Sequence, residues 1–163
     1  KSTLSPDLLG TLITENLEGV GVKAIAAKDG ISALKINSGR MLLAYGFLRK
    51  VFEIFELYKT PIDMITTSEV AVSVTVDDPT QLDSIEKELK KYGAVEVDSN
   101  QTIICVVGDF IKNEKGIAAD ILDKLRDIPI RMISYGGSNH NISFLISTVD
   151  KERALKSLNQ LFL

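Results

Sequence analysis

Apolar residues recur at three- and four-residue intervals in two stretches of the chain, each opened by a glycine and closed by the same phrase. From Gly46 the sequence reads GFLRKVFEIFELYKTPIDMI, and from Gly116 it reads GIAADILDKLRDIPIRMI. Phe47, Leu48, Val51, Ile54, Phe55 and Tyr58 share one face of the first stretch. Ile117, Ala118, Ile121, Leu122 and Leu125 share one face of the second. That spacing predicts two amphipathic helices, each burying one side. Pro61 and Pro129 end them and start extended segments, because proline lacks an amide hydrogen and pushes its predecessor out of the helical region.

The surrounding pattern repeats as well. VAVSVTV (70–76) and its counterpart ISFLIST (142–148) are rich in β-branched residues, as are ISALKIN (31–37), AVEV (94–97) and TIICVVG (102–108), and all predict strands. Residues 78–93 carry Leu82, Ile85, Leu89 and Tyr92 on one face, and 150–162 carry Ala154, Leu155, Leu158, Leu161 and Phe162. Both predict helices, with an aspartate at or near each N-terminus, where it suits the helix dipole.

Each unit therefore reads strand–helix–strand–strand–helix–strand. This is the ferredoxin-like split βαβ pattern of the α+β class: a four-stranded antiparallel sheet with two helices on one face. The second unit reaches Leu163 before its fourth strand, while VKAIAAK (22–28) precedes the first unit unused. The simplest home for that strand is the vacant edge of the second sheet, which would otherwise be exposed. The first unit is then inserted into the second. The expected boundaries are a linker at 1–20, a first domain at 30–99, and a second made of 21–29 plus 100–163.

Composition narrows the function class. Of 163 residues, 45% are hydrophobic and 25% charged, which suits one ordinary globular domain or two small ones. A net charge of −3 gives no reason to expect nucleic acid or an anionic membrane as partner. No apolar run approaches the roughly 20 residues of a membrane span, and no signal peptide is visible. The chain opens at Lys1 rather than Met, so a piece of a longer protein is expected. The single cysteine, Cys105, allows neither an intrachain disulfide nor a multi-cysteine metal site. It is expected as a small buried strand residue, in keeping with a reducing cytoplasm.

The two copies diverge directly after the shared Pro-Ile-x-Met-Ile. The first continues TTSEV (66–70) and the second SYGGSNHNI (134–142), four residues longer. In this fold the end of the second strand neighbours the N-terminus of the first helix, whose free N–H groups and partial positive charge attract a carboxylate. Asp63 and Glu69 of the first copy can hold ammonium groups. Together these suit an amino acid, especially one with a second amine. The second copy has Arg131 in place of Asp63, so it should not take the same ligand in the same way. Plainer roles stand beside these. Asp63, between Ile62 and Met64, has a solvent-facing alternative, and Glu69 that of a solvated charge. Thr66, Thr67 and Ser68 suit turns and strands, and Gly46 and Gly116 suit turns. His140, the only histidine, is expected to hydrogen-bond within its loop. GGSNHN has no following Lys-Ser/Thr and precedes a strand, so it is no phosphate loop. No catalytic constellation, metal-ligand set or nucleotide fingerprint stands out, which leaves a small-ligand binding module rather than an enzyme.

GFLRKVFEIFELYKTPIDMITTSEVAVSVTVDD resembles the regulatory ACT domains of aspartate kinase, most closely the lysine-sensitive monofunctional type. The family opens its first helix with Gly-Phe-Leu, here Gly46-Phe47-Leu48. It follows with Asp-x-Ile-Thr-Thr-Ser-Glu-Val, here Asp63 to Val70. IRMISYGGSNHNISFLI (130–146) is similar to the second ACT domain, and GTLIT (10–14) to the segment joining kinase and regulatory parts. The resemblance implies a detached regulatory half, with the catalytic residues, ATP and magnesium belonging to an absent kinase domain. It implies no cofactor or metal here, and partners in the kinase domain of the same protein and in a second copy of the chain. The family places its effector between the first ACT domains of two chains. By position this implies Met41, Gly46, Phe47, Leu48, Asp63, Thr67, Ser68, Glu69 and Val70. L-lysine is the implied effector. Leu43 and Ala44 replace polar residues that often line the first strand's end in lysine-binding relatives, which removes side-chain hydrogen bonds there. Two alternatives stay open: an assembly module without an effector, and a threonine-sensing pair.

Overall fold

The computed structural model describes residues 21–39, 45–109 and 115–162. The element order is β1 (Gly21–Asn37), α1 (Phe47–Leu57), β2 (Ile65–Thr67), β3 (Ala71–Val76), α2 (Leu82–Leu89), β4 (Ala94–Asp109), α3 (Ile117–Lys124), β5 (Ile130–Tyr135), β6 (Asn141–Ser147) and α4 (Lys151–Leu158). Short 3-10 turns flank α4 at Thr148–Asp150 and Asn159–Phe162. The fold is α+β with an antiparallel sheet, in the order β2-β3-β1-β4-β6-β5.

One feature differs from the pattern expected of the sequence. The runs 22–28 and 31–37 are not two strands but one, as are 94–97 and 102–108. β1 and β4 pair along nearly their whole length and carry the ladder through a kink. The kink lies at Gly30 (φ 75°) on β1 and Asn100 (φ 58°) on β4. Register shifts fall there, on either side of the Ile31–Gln101 pair. A residue in the left-handed region turns the strand without ending it, and glycine and asparagine tolerate that conformation best. The kink residues stand seventy apart, as do Gly46 and Gly116, so the duplication reaches the bends themselves. Beyond the kink, β1 pairs on its other side with β3 over Ser32–Asn37, its upper half, and β4 pairs on its other side with β6 over Gln101–Val107; the lower half of β1, before Gly30, pairs with β4 alone. VKAIAAK thus lies along β4 beside the strands of the second unit, where Val22 and Ile25 pack into that unit's core.

Alternation along each strand separates two faces. Leu34 and Ile36 of β1 and Val72, Val74 and Val76 of β3 bury against Phe47, Val51, Ile54 and Phe55 of α1 and Ile85 and Leu89 of α2. Ile104 and Val106 of β4 and Ile142, Phe144 and Ile146 of β6 do the same with Ile121 of α3 and Ala154 and Leu158 of α4. The intervening residues form a third cluster: Ile31, Ala33, Ile103 and Leu145, with Met64 and Met132. Both methionines come from the repeated Pro-Ile-x-Met-Ile. The helix-free faces of the two halves therefore close on each other, and β2 and β5, at opposite ends of the strand order, touch. Cys105 is half-buried rather than buried, because it lies on this helix-free side where the seam opens into a cavity.

The close fit continues at the chain turns. Gly93 leads from α2 into β4, and a Cβ placed there would stand 2.3 Å from the Asn37 carbonyl oxygen. Gly93→Ala is expected to cost about 1–3 kcal/mol, the usual penalty of overpacking, measured by urea denaturation. At the seam, Met64→Ala and Met132→Ala should each cost about 2–5 kcal/mol. Because both side chains belong to one cluster, a double-mutant cycle should show a coupling above about 0.5 kcal/mol. Strict additivity would mean that the two halves do not share a core.

Candidate functional site

Helix α1 begins after Gly46, which adopts a left-handed conformation (φ 84°) and offers no side-chain cap. The first intrahelical bond runs from the Lys50 amide to the Gly46 carbonyl oxygen at 3.1 Å. Helix geometry leaves the N–H groups of Phe47, Leu48 and Arg49 without an intrahelical acceptor. The first turn carries no acidic residue but does carry Arg49 and Lys50. Cations at this end oppose the helix dipole and gain when an anion is present. Arg49 pairs with Glu53 at 2.9 Å, and Lys50 lies over the Tyr92 ring at 5.4 Å. Helix α3 repeats the left-handed glycine cap at Gly116 (φ 94°) but places Asp120 in its first turn. The two helix ends are thus electrostatically unlike, a difference readable from sequence had the charges of the first turns been compared.

The β2–β3 turn holds Thr67, Ser68, Glu69 and Val70, all exposed. The Ser68 amide donates to the Ala71 carbonyl at 2.8 Å, and the Ala71 amide donates to the Ser68 hydroxyl oxygen at 3.2 Å. The Ser38 amide donates to the Val70 carbonyl at 2.9 Å. Ser68 therefore serves the turn, and the turn is tied to the end of β1, from which the chain leads to Gly46. Phe47 is buried in the first core, while Leu48 points outward with Phe52 one turn on. Met41, with Leu43 and Ala44, lies outside the described residues.

Asp63 lies elsewhere. Its amide donates to the Thr75 carbonyl at 2.9 Å, at the far end of β2 from the turn. Five residues of extended chain separate it from Ser68, roughly 16 Å at the strand rise of about 3.3 Å. The expectation that Asp63 and Glu69 flank one ligand is therefore not met within a single chain. The sequence pattern could not show this, since spacing along a strand says nothing of which end meets a partner. The Asp63 carboxylate instead accepts from the Lys28 ammonium at 2.6 Å, and Asp77 meets the same ammonium at 2.7 Å. Lys28 belongs to the lower half of β1, beside the second core. The mirrored position in the repeat, Arg131, pairs with Asp98 at the corresponding end of β4. Acid and base have changed places across the seam. Two cavities lie along it, one of about 380 Å³ bordered by Arg131 and Asp98, the other of about 260 Å³ bordered by Lys28 and Asp63. His140 works in its loop through the main chain: its amide donates to the Ser138 hydroxyl at 3.1 Å and its carbonyl accepts from Gly108 at 2.8 Å. Among the described residues no cluster of histidine, cysteine and carboxylates could hold a metal, and no helix is long and apolar enough to cross a membrane.

Residues 104–162, from β4 to the final turn, match the ACT domain family. A solved structure from Porphyromonas gingivalis W83, described as a C-terminal regulatory domain of aspartate kinase, is 48% identical. It covers 86% of this chain and 97% of its own, with a TM-score of 0.78. The chain belongs to the aspartate kinase family, in its regulatory region. The aspartokinase of Candida albicans is 40% identical over 83% of this chain, and the lysine-sensitive aspartokinase 3 of Escherichia coli 31% over 97%. The chain spans only 26% and 37% of those two proteins. The E. coli aspartokinase III structure in complex with lysine and aspartate matches 91% of this chain at 31% identity, with a TM-score of 0.79.

In this aspartate kinase regulatory region, charge ties the halves together over a wide pH range. Asp77 is held below its ordinary value of 3.8, chiefly by the hydrogen bond from Lys28. Lys28 is held above its ordinary 10.5, first by Asp63 and then by Asp77. The stabilisation from Asp77 is complete above pH 3.8 and is lost as pH falls through its lower folded value. That from Lys28 is complete below pH 10.5 and is lost as pH rises through its higher folded value. Asp77→Asn should therefore lower the urea midpoint at pH 7, and its difference from the parent protein should shrink steadily as pH falls below 3.8. A difference that stays constant as pH falls would show that the ion pair contributes nothing.

Proposed function

We propose that this chain is the effector-binding half of an aspartate kinase, which binds L-lysine between two copies and lowers the activity of a kinase domain elsewhere in the protein. In this reading it comprises two ACT domains, residues 30–99 inserted into 21–29 plus 100–163, with 1–20 as the link to the kinase domain. The chain itself phosphorylates nothing and acts in the cytoplasm. The observation that carries the reading is the division of the candidate residues between the two ends of β2. Gly46, Phe47 and Leu48 share one end with Thr67, Ser68, Glu69 and Val70, and Asp63 holds the other. β2 is an edge strand with a free side. If β2 of a second copy pairs with it antiparallel, the Asp63 of each chain arrives beside the helix end and turn of the other. The free N–H groups at α1 then suit the ligand carboxylate, and the partner's carboxylate and Glu69 suit its two amines. Leu48, Phe52, Ile65 and Val70, exposed along α1 and its neighbouring edge, supply apolar surface for such a pairing. The resemblance to a lysine-sensitive enzyme, and to one crystallised with lysine, points to the same ligand.

One observation favours a second reading, an assembly module without an effector: the Asp63 carboxylate already has a partner in Lys28. Calorimetric titration separates the two. L-lysine should bind saturably near one per chain, L-threonine weakly or not at all, and Asp63→Asn should abolish the lysine heat while leaving dimers in sedimentation. At a lysine concentration about 100 times Kd, the folded dimer should gain about 2.7 kcal/mol per site, read as tighter self-association. Dimers that ignore both amino acids would favour the assembly module, and a threonine response would favour a threonine-sensing pair.

A further inference from the structure

Lys28 stands out once the site is drawn. From the lower half of β1 it reaches across the seam to the first unit, with its ammonium 2.6 Å from Asp63, just before β2, and 2.7 Å from Asp77, just after β3. Half of its side chain surface is exposed, so the ammonium can exchange for another without the core opening. The seam beside it holds a cavity of about 260 Å³ with apolar walls at Ala26, Met64 and Ile103. Two carboxylates around one primary ammonium, with an alkyl chain behind it, are the chemical surroundings that a free lysine side chain would require.

We propose that Lys28 is an internal substitute for the effector's ammonium group, displaced from Asp63 when a ligand amine binds. This rests on the reading of Asp63 as an amine-binding residue and adds how binding is felt beyond it. Lys28 directly precedes Asp29 and the Gly30 kink. Asp29 accepts a hydrogen bond from the Thr102 hydroxyl at 2.8 Å and pairs with Lys151 at the start of α4. Moving Lys28 off Asp63 loosens the hold of the first unit on the β1 segment where that anchor sits. The mirrored tie, Arg131 to Asp98, has one carboxylate on its cation rather than two, and lies away from the α1 end and the β2–β3 turn. Lys28 keeps Asp77 when it leaves Asp63, so one of two ties across the seam is weakened while the other remains, and the halves can shift about the kink rather than separate. A ligand moves this equilibrium only by its differential affinity, and that difference is the exchange of one ammonium for another. The selectivity follows as well: the amine presented at Asp63 is the ligand's side-chain amine, so an amino acid that has only its α-amine does not compete with Lys28.

The test is calorimetric titration of the parent chain, Lys28→Met and Arg131→Met with L-lysine and with L-norleucine, which keeps the alkyl chain but lacks the terminal amine. Removing the competitor should tighten lysine binding about threefold or more, leave norleucine unchanged, and have no counterpart in Arg131→Met. In the parent chain, the Lys28 ammonium resonance, observed by nitrogen-15 NMR, should shift at saturating lysine, as loss of one of its two carboxylates requires. Equal or weaker lysine binding by Lys28→Met, or a Lys28 resonance that does not move, overturns this inference and leaves the lysine-binding reading intact. An equal gain in Arg131→Met overturns it too, since loosening the seam in general would then be the cause. If neither the parent nor Lys28→Met binds lysine, both fall together. Binding by Lys28→Met alone would uphold the competition.

Discussion

A sheet covered by helices on one side still has a second apolar face to remove from water. Here that face decides the architecture. Each half is a small sheet with two helices, and neither could leave Met64, Met132, Ile103 or Leu145 exposed without penalty, at about 25 cal/mol for every Å² of apolar surface. Bending β1 and β4 at Gly30 and Asn100 lets the two bare faces cover each other while the ladder stays intact. The bends, the shared core and the approach of β2 to β5 all follow from this one requirement.

The same bend sets the electrostatics. Because the halves are duplicates, the residue between isoleucine and methionine in the repeated phrase arrives at the rim of the seam twice. It meets the end of the other half's closing strand each time. Asp63 meets Lys28, and Arg131 meets Asp98. Opposite charges at equivalent positions let both contacts be attractive. They also leave the two rims chemically different, one with an ammonium between two carboxylates and the other with a guanidinium on one. Exposed pairs of this kind add little stability.

Much of the architecture was legible in the sequence. The helices α1 and α3 follow the apolar periodicity closely, β3 falls within its strand-forming run, β6 matches its run to one residue, and β5 is the extended segment that Pro129 begins. The 78–93 and 150–162 patterns contain α2 and α4, though both helices are shorter than their apolar stripes. Asp78 and Pro79 form a turn before α2, in which the Thr80 amide donates to Asp78 and that of Leu82 to the Pro79 carbonyl. A 3-10 turn follows α4 and carries Leu161 and Phe162. The site was legible in kind but not in arrangement. A helix N-terminus with free N–H groups, a polar turn and two carboxylates were all readable. That Asp63 sits roughly 16 Å from Ser68 along the strand, and that Lys28 holds it, was not.

The sequence by itself determined the duplicated units, the helix and strand assignments, the faces each would bury, and the point where the copies part company. Those properties are local: they depend on periodicity of side chains along one segment and on what proline and glycine permit. The tertiary structure alone decided that four strand-forming runs become two bent strands, that the two methionines share one core, and that Lys28 meets Asp63. Those are contacts between residues tens of positions apart. They depend on how two apolar faces come together, and no pattern along a single segment carries that information.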